Sequence, residues 1–91
     1  DSLLLITILD SSGNVVCENG ITTGQILNIP LTLKPQSTYK ILITKPFGSV
    51  LTTNGITQTS STTYSLTTNY TDLTISLTLA GNGNWSNTVV V

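Results

Sequence analysis

Leu73-Thr74-Ile75-Ser76-Leu77-Thr78-Leu79 decides the fold class of this chain. Apolar and hydroxyl side chains alternate through it without a break. Successive side chains of an extended chain point to opposite faces, so Leu73, Ile75, Leu77 and Leu79 share one face and Thr74, Ser76 and Thr78 the other. That is the pattern of a half-buried antiparallel strand. The same period of two recurs outward along the chain, in Leu27, Ile29, Leu31 and Leu33, in Tyr39, Ile41 and Ile43, and in Tyr64 and Leu66. Thr is abundant, and its β-branched side chain suits a pleated surface better than a helix. Pro30 falls on the outward face of its strand and removes a ladder donor, which places that strand at a sheet edge or at a bulge.

Between these strands lie regular turn signals. Ser11-Ser12-Gly13-Asn14 separates the first strand from the Val15 strand. Asn19-Gly20, Asn54-Gly55 and Asn82-Gly83 accept the positive φ of tight hairpin turns. Lys34-Pro35-Gln36-Ser37 and Lys45-Pro46-Phe47-Gly48 carry Pro preset for the first central turn position. The reading is all-β: seven to nine short strands in an immunoglobulin-like, Greek-key, two-sheet sandwich. A length of 91 residues allows one such domain.

Only 8% of the residues are charged, against roughly 25% in ordinary soluble domains. The surface is therefore expected to consist of Thr, Ser and Asn. With three Lys, no Arg and no His, there is no basic stripe to displace counterions from phosphate, which argues against nucleic acid and anionic membranes as partners. No run approaches the length of a membrane span, and any leader is expected to have been removed. Cys17 has no second cysteine to pair with inside the chain, and beside Val15 and Val16 it reads as a small core hydrophobe.

Catalytic chemistry finds no footing. Nucleophilic catalysis needs a base beside the hydroxyl or thiol, and there is no His. Asp1, Asp10, Glu18 and Asp72 are scattered, so a paired-carboxylate site is not expected, and neither is a cofactor. Asp10 with Asn14 has the spacing to touch calcium, but an Asx role in the turn accounts for both residues. Two sequons, Asn69-Tyr70-Thr71 and Asn84-Trp85-Ser86, lie in or beside predicted turns and make Asn69 and Asn84 the candidate glycosylation sites. The three Asn-Gly pairs are open to deamidation unless rigidly held.

Two local stretches resemble known modules. Leu33-Lys34-Pro35-Gln36-Ser37-Thr38-Tyr39-Lys40-Ile41-Leu42-Ile43 resembles the Leu-x-Pro turn, Tyr and alternating strand of fibronectin type III and other immunoglobulin-like domains. The resemblance implies a tyrosine corner at Tyr39, anchoring the turn at Leu33 to Pro35. Ile8-Leu9-Asp10-Ser11-Ser12-Gly13-Asn14-Val15-Val16 is similar to the opening hairpin of prealbumin-like and collagen-adhesin B-type modules. In composition, the charge-poor, Thr- and Ser-rich chain with its sequons resembles the extracellular filament subunits of archaea, pilins and threads with immunoglobulin-like domains. It lacks the long hydrophobic N-terminal helix of archaeal type IV pilins, which either favours a filament built by strand donation or means that only the head domain is present.

The first strand is apolar on both faces, with Leu4, Ile6 and Ile8 on one and Leu3, Leu5 and Leu9, broken by Thr7, on the other. Such a strand is either central and covered by a loop or neighbour, or donated into a groove of the next subunit. On the second reading residues 1–9 are the donor and residues 10–91 the receiving domain, and head-to-tail exchange makes an open homopolymer of identical subunits. Thr88-Val89-Val90-Val91 is an alternative donor. The function expected is that of an extracellular, cell-surface pilus-like filament serving adhesion to cells or glycans. The rival readings are a singly displayed carbohydrate-binding or adhesin module, and a viral coat or fibre domain.

Overall fold

A computed structural model of the chain describes residues 3–22, 24–34, 36–44, 51–68, 71–81 and 84–91, with Leu3, Leu51 and Thr68 described by backbone alone. Among these residues there are nine strands and no helix: β1 (Leu3–Leu9), β2 (Val15–Thr22), β3 (Ile26–Thr32), β4 (Ser37–Thr44), β5 (Leu51–Thr52), β6 (Thr57–Gln58), β7 (Thr63–Thr68), β8 (Asp72–Leu79) and β9 (Trp85–Val90). They form a five-stranded sheet in the order β2-β1-β4-β7-β6 and a four-stranded sheet in the order β3-β8-β9-β5. All described pairings are antiparallel except the two-residue match of β5 with β9.

The alternation of Leu73 to Leu79 becomes burial directly, since Ile75, Leu77 and Leu79 are fully buried and Leu73 nearly so. Opposite them in the other sheet lie Leu4, Ile6, Ile8, Ile41 and Ile43, all 0 to 1% exposed. The two inner faces thus make one core, closed by Tyr39, Leu66 and the edge-to-face pair of Tyr64 and Trp85, whose ring centroids are 6.2 Å apart at 80°. Such a pair adds about 0.5 to 1.5 kcal/mol beyond its buried area. Burial of the Tyr64 ring holds its phenol above the usual tyrosine range.

The edges follow the chemistry of their residues. β3 is an edge strand, as the exposed Pro30 requires. The turn read at Asn19-Gly20 is displaced, because both residues lie within β2, where Asn19 pairs with Ile6 and Gly20 with Leu5. The chain reverses instead at Thr22 to Gln25. There the Gln25 N–H donates to the Thr22 carbonyl at 3.1 Å, the Thr22 N–H donates to Gln25 Oε1 at 2.8 Å, and Gly24 takes φ +86°. An Asn-Gly pair tolerates a turn but does not impose one, and the ladder to β1 holds it extended. Asn54-Gly55 bends, with Gly55 at φ +94°, but it joins β5 and β6 of different sheets and so does not close a hairpin. Asn82-Gly83 and the Lys45 to Gly48 turn lie outside the described residues.

Candidate functional site: the first strand and the sheet edges

β1 lies inside its own sheet. It pairs with β2 along its whole length, from Leu3 opposite Thr22 to Leu9 opposite Val15, and with β4 from Leu5 opposite Thr44 to Leu9 opposite Lys40. A register shift between Ile8 and Leu9 marks a bulge at the end of the strand. Leu4, Ile6 and Ile8 point into the core, whereas Leu5 on the outer face is 44% exposed and Leu9 half-buried. Leu5 stays open because its neighbour across β2 is Gly20, which has no side chain to cover it. Leu42, 37% exposed, continues the apolar surface on β4, with Thr7 and Glu18 joined beside it by a 3.3 Å hydrogen bond from the Thr7 hydroxyl.

A short connection, Asp10 to Asn14, joins β1 to β2. The Asp10 carboxylate caps it, with Oδ1 accepting from the backbone N–H groups of Ser12 and Asn14, each at 2.9 Å. The Asn14 N–H foremost draws the Asp10 carboxyl below its ordinary pKa. These bonds use the carboxylate for the turn itself, as an Asx motif does. Among the described residues no three His, Cys, Asp or Glu side chains come together where they could hold a metal ion, and no helix is long and apolar enough to cross a membrane.

Four edges bound the sheets, and they are unequal. β5 and β6 are two residues each, and β3 carries Pro30. Past β5, the edge of β9 is covered by the 53–56 connection. There Asn87, 3% exposed, holds both backbone groups of Asn54: its Oδ1 accepts from the Asn54 N–H at 3.1 Å and its Nδ2 donates to the Asn54 carbonyl at 3.4 Å. Gly55 lies so close to β9 that a Cβ on it would stand 2.7 Å from Val89 Cγ2. Only β2, eight residues without Pro or Lys, offers a long edge among the described strands. Its one charge is Glu18. Cys17 is half-buried on this strand, packs against the core, and accepts from Asn19 Nδ2 at 3.2 Å.

The Tyr39 ring is buried at the start of β4, and its hydroxyl accepts the Lys34 N–H at 2.9 Å, tying the strand to the turn before it. Gln36 in that turn takes φ 59°. Tyr39→Phe keeps the ring and removes this one acceptor, so a loss of about 0.5 to 1.5 kcal/mol is expected. A urea titration reads it, and an unchanged midpoint would mean that the hydroxyl contributes nothing to the corner.

Asn84 is exposed immediately before β9, its carbonyl accepting the Ala80 N–H at 2.8 Å. Asn69, the other sequon residue, lies outside the described residues. Thr88 to Val90 belong to β9, paired with Ser76 to Thr74 of β8. The Asn87 clasp was missed in the sequence, although a signal for it exists. Trp85, Asn87 and Val89 occupy the inward slots of a period-two strand, and a polar residue in such a slot calls for a buried partner. Compared with known proteins, the chain matches no family model, no curated protein and no solved structure.

Proposed function

We propose that this chain is the structural subunit of an extracellular, pilus-like filament in which residues 1–9 of one copy complete the sandwich of the next. The observation that carries this reading is the placement of β1. It puts three fully buried side chains, Leu4, Ile6 and Ile8, between the edges of β2 and β4, yet only the Asp10 to Asn14 turn connects it onward. If that turn opens as a hinge, every pairing of β1 can be remade with a neighbour at little net cost, as in domain swapping. Residues 10–91 are the receiving domain, and the Lys34 to Tyr39 contact supports reading it as immunoglobulin-like. The exposed Asn84 and the hydroxyl-rich surface fit a glycosylated, cell-surface assembly that meets cells or glycans, with Asn69 as a second glycan site.

Electron microscopy of material purified from its native source tests the assembly, with filaments expected and isolated monomers or closed shells counting against it. Intact-mass measurement before and after enzymatic deglycosylation tests the sugars. A fall in mass on deglycosylation is expected, and an unchanged mass would remove Asn69 and Asn84 from the proposal.

A further inference from the structure

The Asn54-Gly55 peptide lies at the clasp that covers the β9 edge, and both of its residues are exposed. We propose that Asn54 is a site of spontaneous succinimide formation in the folded protein, and that its isoaspartyl product releases the Asn87 clasp. In this reaction the Gly55 backbone nitrogen loses its proton to solvent base and attacks the Asn54 side-chain carbonyl carbon Cγ. The N–Cγ bond forms, the Cγ–Nδ2 bond breaks, and ammonia leaves with the proton. Water then opens the five-membered ring at one of its two carbonyls. One opening leaves an ordinary aspartate, and the other routes the main chain through the side chain as isoaspartate. Water is consumed, ammonia is released, and nothing is oxidised or reduced.

Three features favour the step at this position. Asn54 is exposed, and its side-chain amide has no hydrogen-bond partner among the described residues. The Gly55 N–H likewise has none among them. Gly55 has no Cβ to obstruct ring closure, and its φ of +94° keeps the segment out of any ladder. Asn19-Gly20 provides an internal comparison, being the same dipeptide in a different setting. It is held extended against Ile6 and Leu5, with the Asn19 amide engaged by Cys17 Sγ at 3.2 Å. Ring closure there requires the strand to open first. Asn82-Gly83 lies outside the described residues.

The two products affect the clasp differently. Asn87 matches the spacing between the Asn54 N–H and carbonyl with one planar amide. Aspartate preserves that spacing. Isoaspartate inserts a carbon between the two groups, so one amide no longer serves both, and a nearly buried Asn87 loses a partner. Gly55 then shifts off Val89, and the edge of β9 that it covered is exposed.

The test is to age the folded protein at mildly alkaline pH in heavy-oxygen water and to map the peptides. Two parallel samples are a denatured one and the folded Asn54→Gln variant, which keeps the backbone clasp but must close a slower six-membered ring. In the folded protein, label is expected at residue 54 at least about tenfold faster than at residue 19, and this ratio should collapse in denaturant. The purified isoaspartyl-54 fraction should melt roughly 4 to 8 °C below the unmodified protein, while the aspartyl-54 fraction and the aged Asn54→Gln variant melt with it. Equal rates at residues 19 and 54 in the folded protein would overturn the site. An isoaspartyl fraction that melts with the unmodified protein would overturn the release of the clasp.

Discussion

A chain carrying Ile6→Asp is expected to lose its cooperative melting transition and to form no filaments. Ile6 is 1% exposed at the centre of β1, facing Asn19 on one side and Ile43 on the other. The substitution forfeits about 1.5 to 3 kcal/mol of apolar burial and places a carboxyl group where no described cation stands, at a further cost of roughly 2 to 7 kcal/mol even if it is neutral. Set against a stability of about 5 to 14 kcal/mol for a domain of this size, that removes most of it. Leu5→Asp is the control, since its side chain leaves the next residue of the same strand toward solvent. Circular dichroism should show it folded, with its midpoint little changed. Similar behaviour of the two variants would mean that the inward and outward faces of β1 have been exchanged.

Removing residues 1–9 is the second large effect, and it separates exchange from mere folding. The deletion takes away the burial of Leu4, Ile6 and Ile8, together about 5 to 9 kcal/mol, and leaves two strand edges facing an empty slot. Alone, the truncated chain should be unfolded or partly folded. A synthetic peptide of residues 1–10 should restore it by mass action, by about 2.7 kcal/mol when its concentration is a hundred times its dissociation constant. Mixed into wild-type protein as a minor component, the truncated chain should shorten filaments, because it receives a strand but donates none. Filaments of unchanged length, with the truncated chain excluded from them, would show that β1 pairs only within its own subunit and that copies meet through surface contacts.

How the fold could be read in the sequence follows from the range of each interaction. The inward faces of β3, β4 and β8 were legible because a period of two is local, and Leu73, Ile75, Leu77 and Leu79 state it within seven residues. Pro30 was legible as an edge marker for the same reason. In β2 the inward slots are Cys17, Asn19 and Ile21. An edge strand is only partly covered by the opposing sheet, so a polar Asn19 there is tolerated and breaks the pattern. With the pattern broken there, the Asn19-Gly20 dipeptide, which accepts the positive φ of a hairpin turn, read as a turn. The position of β1 between β2 and β4 depends on pairing with residues up to Thr44, far along the chain, and its apolar outer face alone did not reveal it. Tyr39 was legible through the motif around it. The clasp of Asn54 by Asn87 spans 33 residues, and no local rule brings two Asn together over that distance.

The inequality of the four sheet edges limits what the protein can build. A particle with one adhesive rim has a valence of one: when two such rims meet, both are used up and growth stops at a pair. Pro30 blocks β3, and the Asn54 clasp covers β9, so β2 is left as the only long rim among the described strands. Unlimited linear growth requires a valence of two, with unlike ends. On the proposed reading β1 is one end and the slot between β2 and β4 is the other, and each addition consumes one end while presenting a fresh copy of it. On that same reading, blocking the β3 and β9 rims would act as quality control on geometry, discouraging sideways sticking there and favouring extension along a single axis.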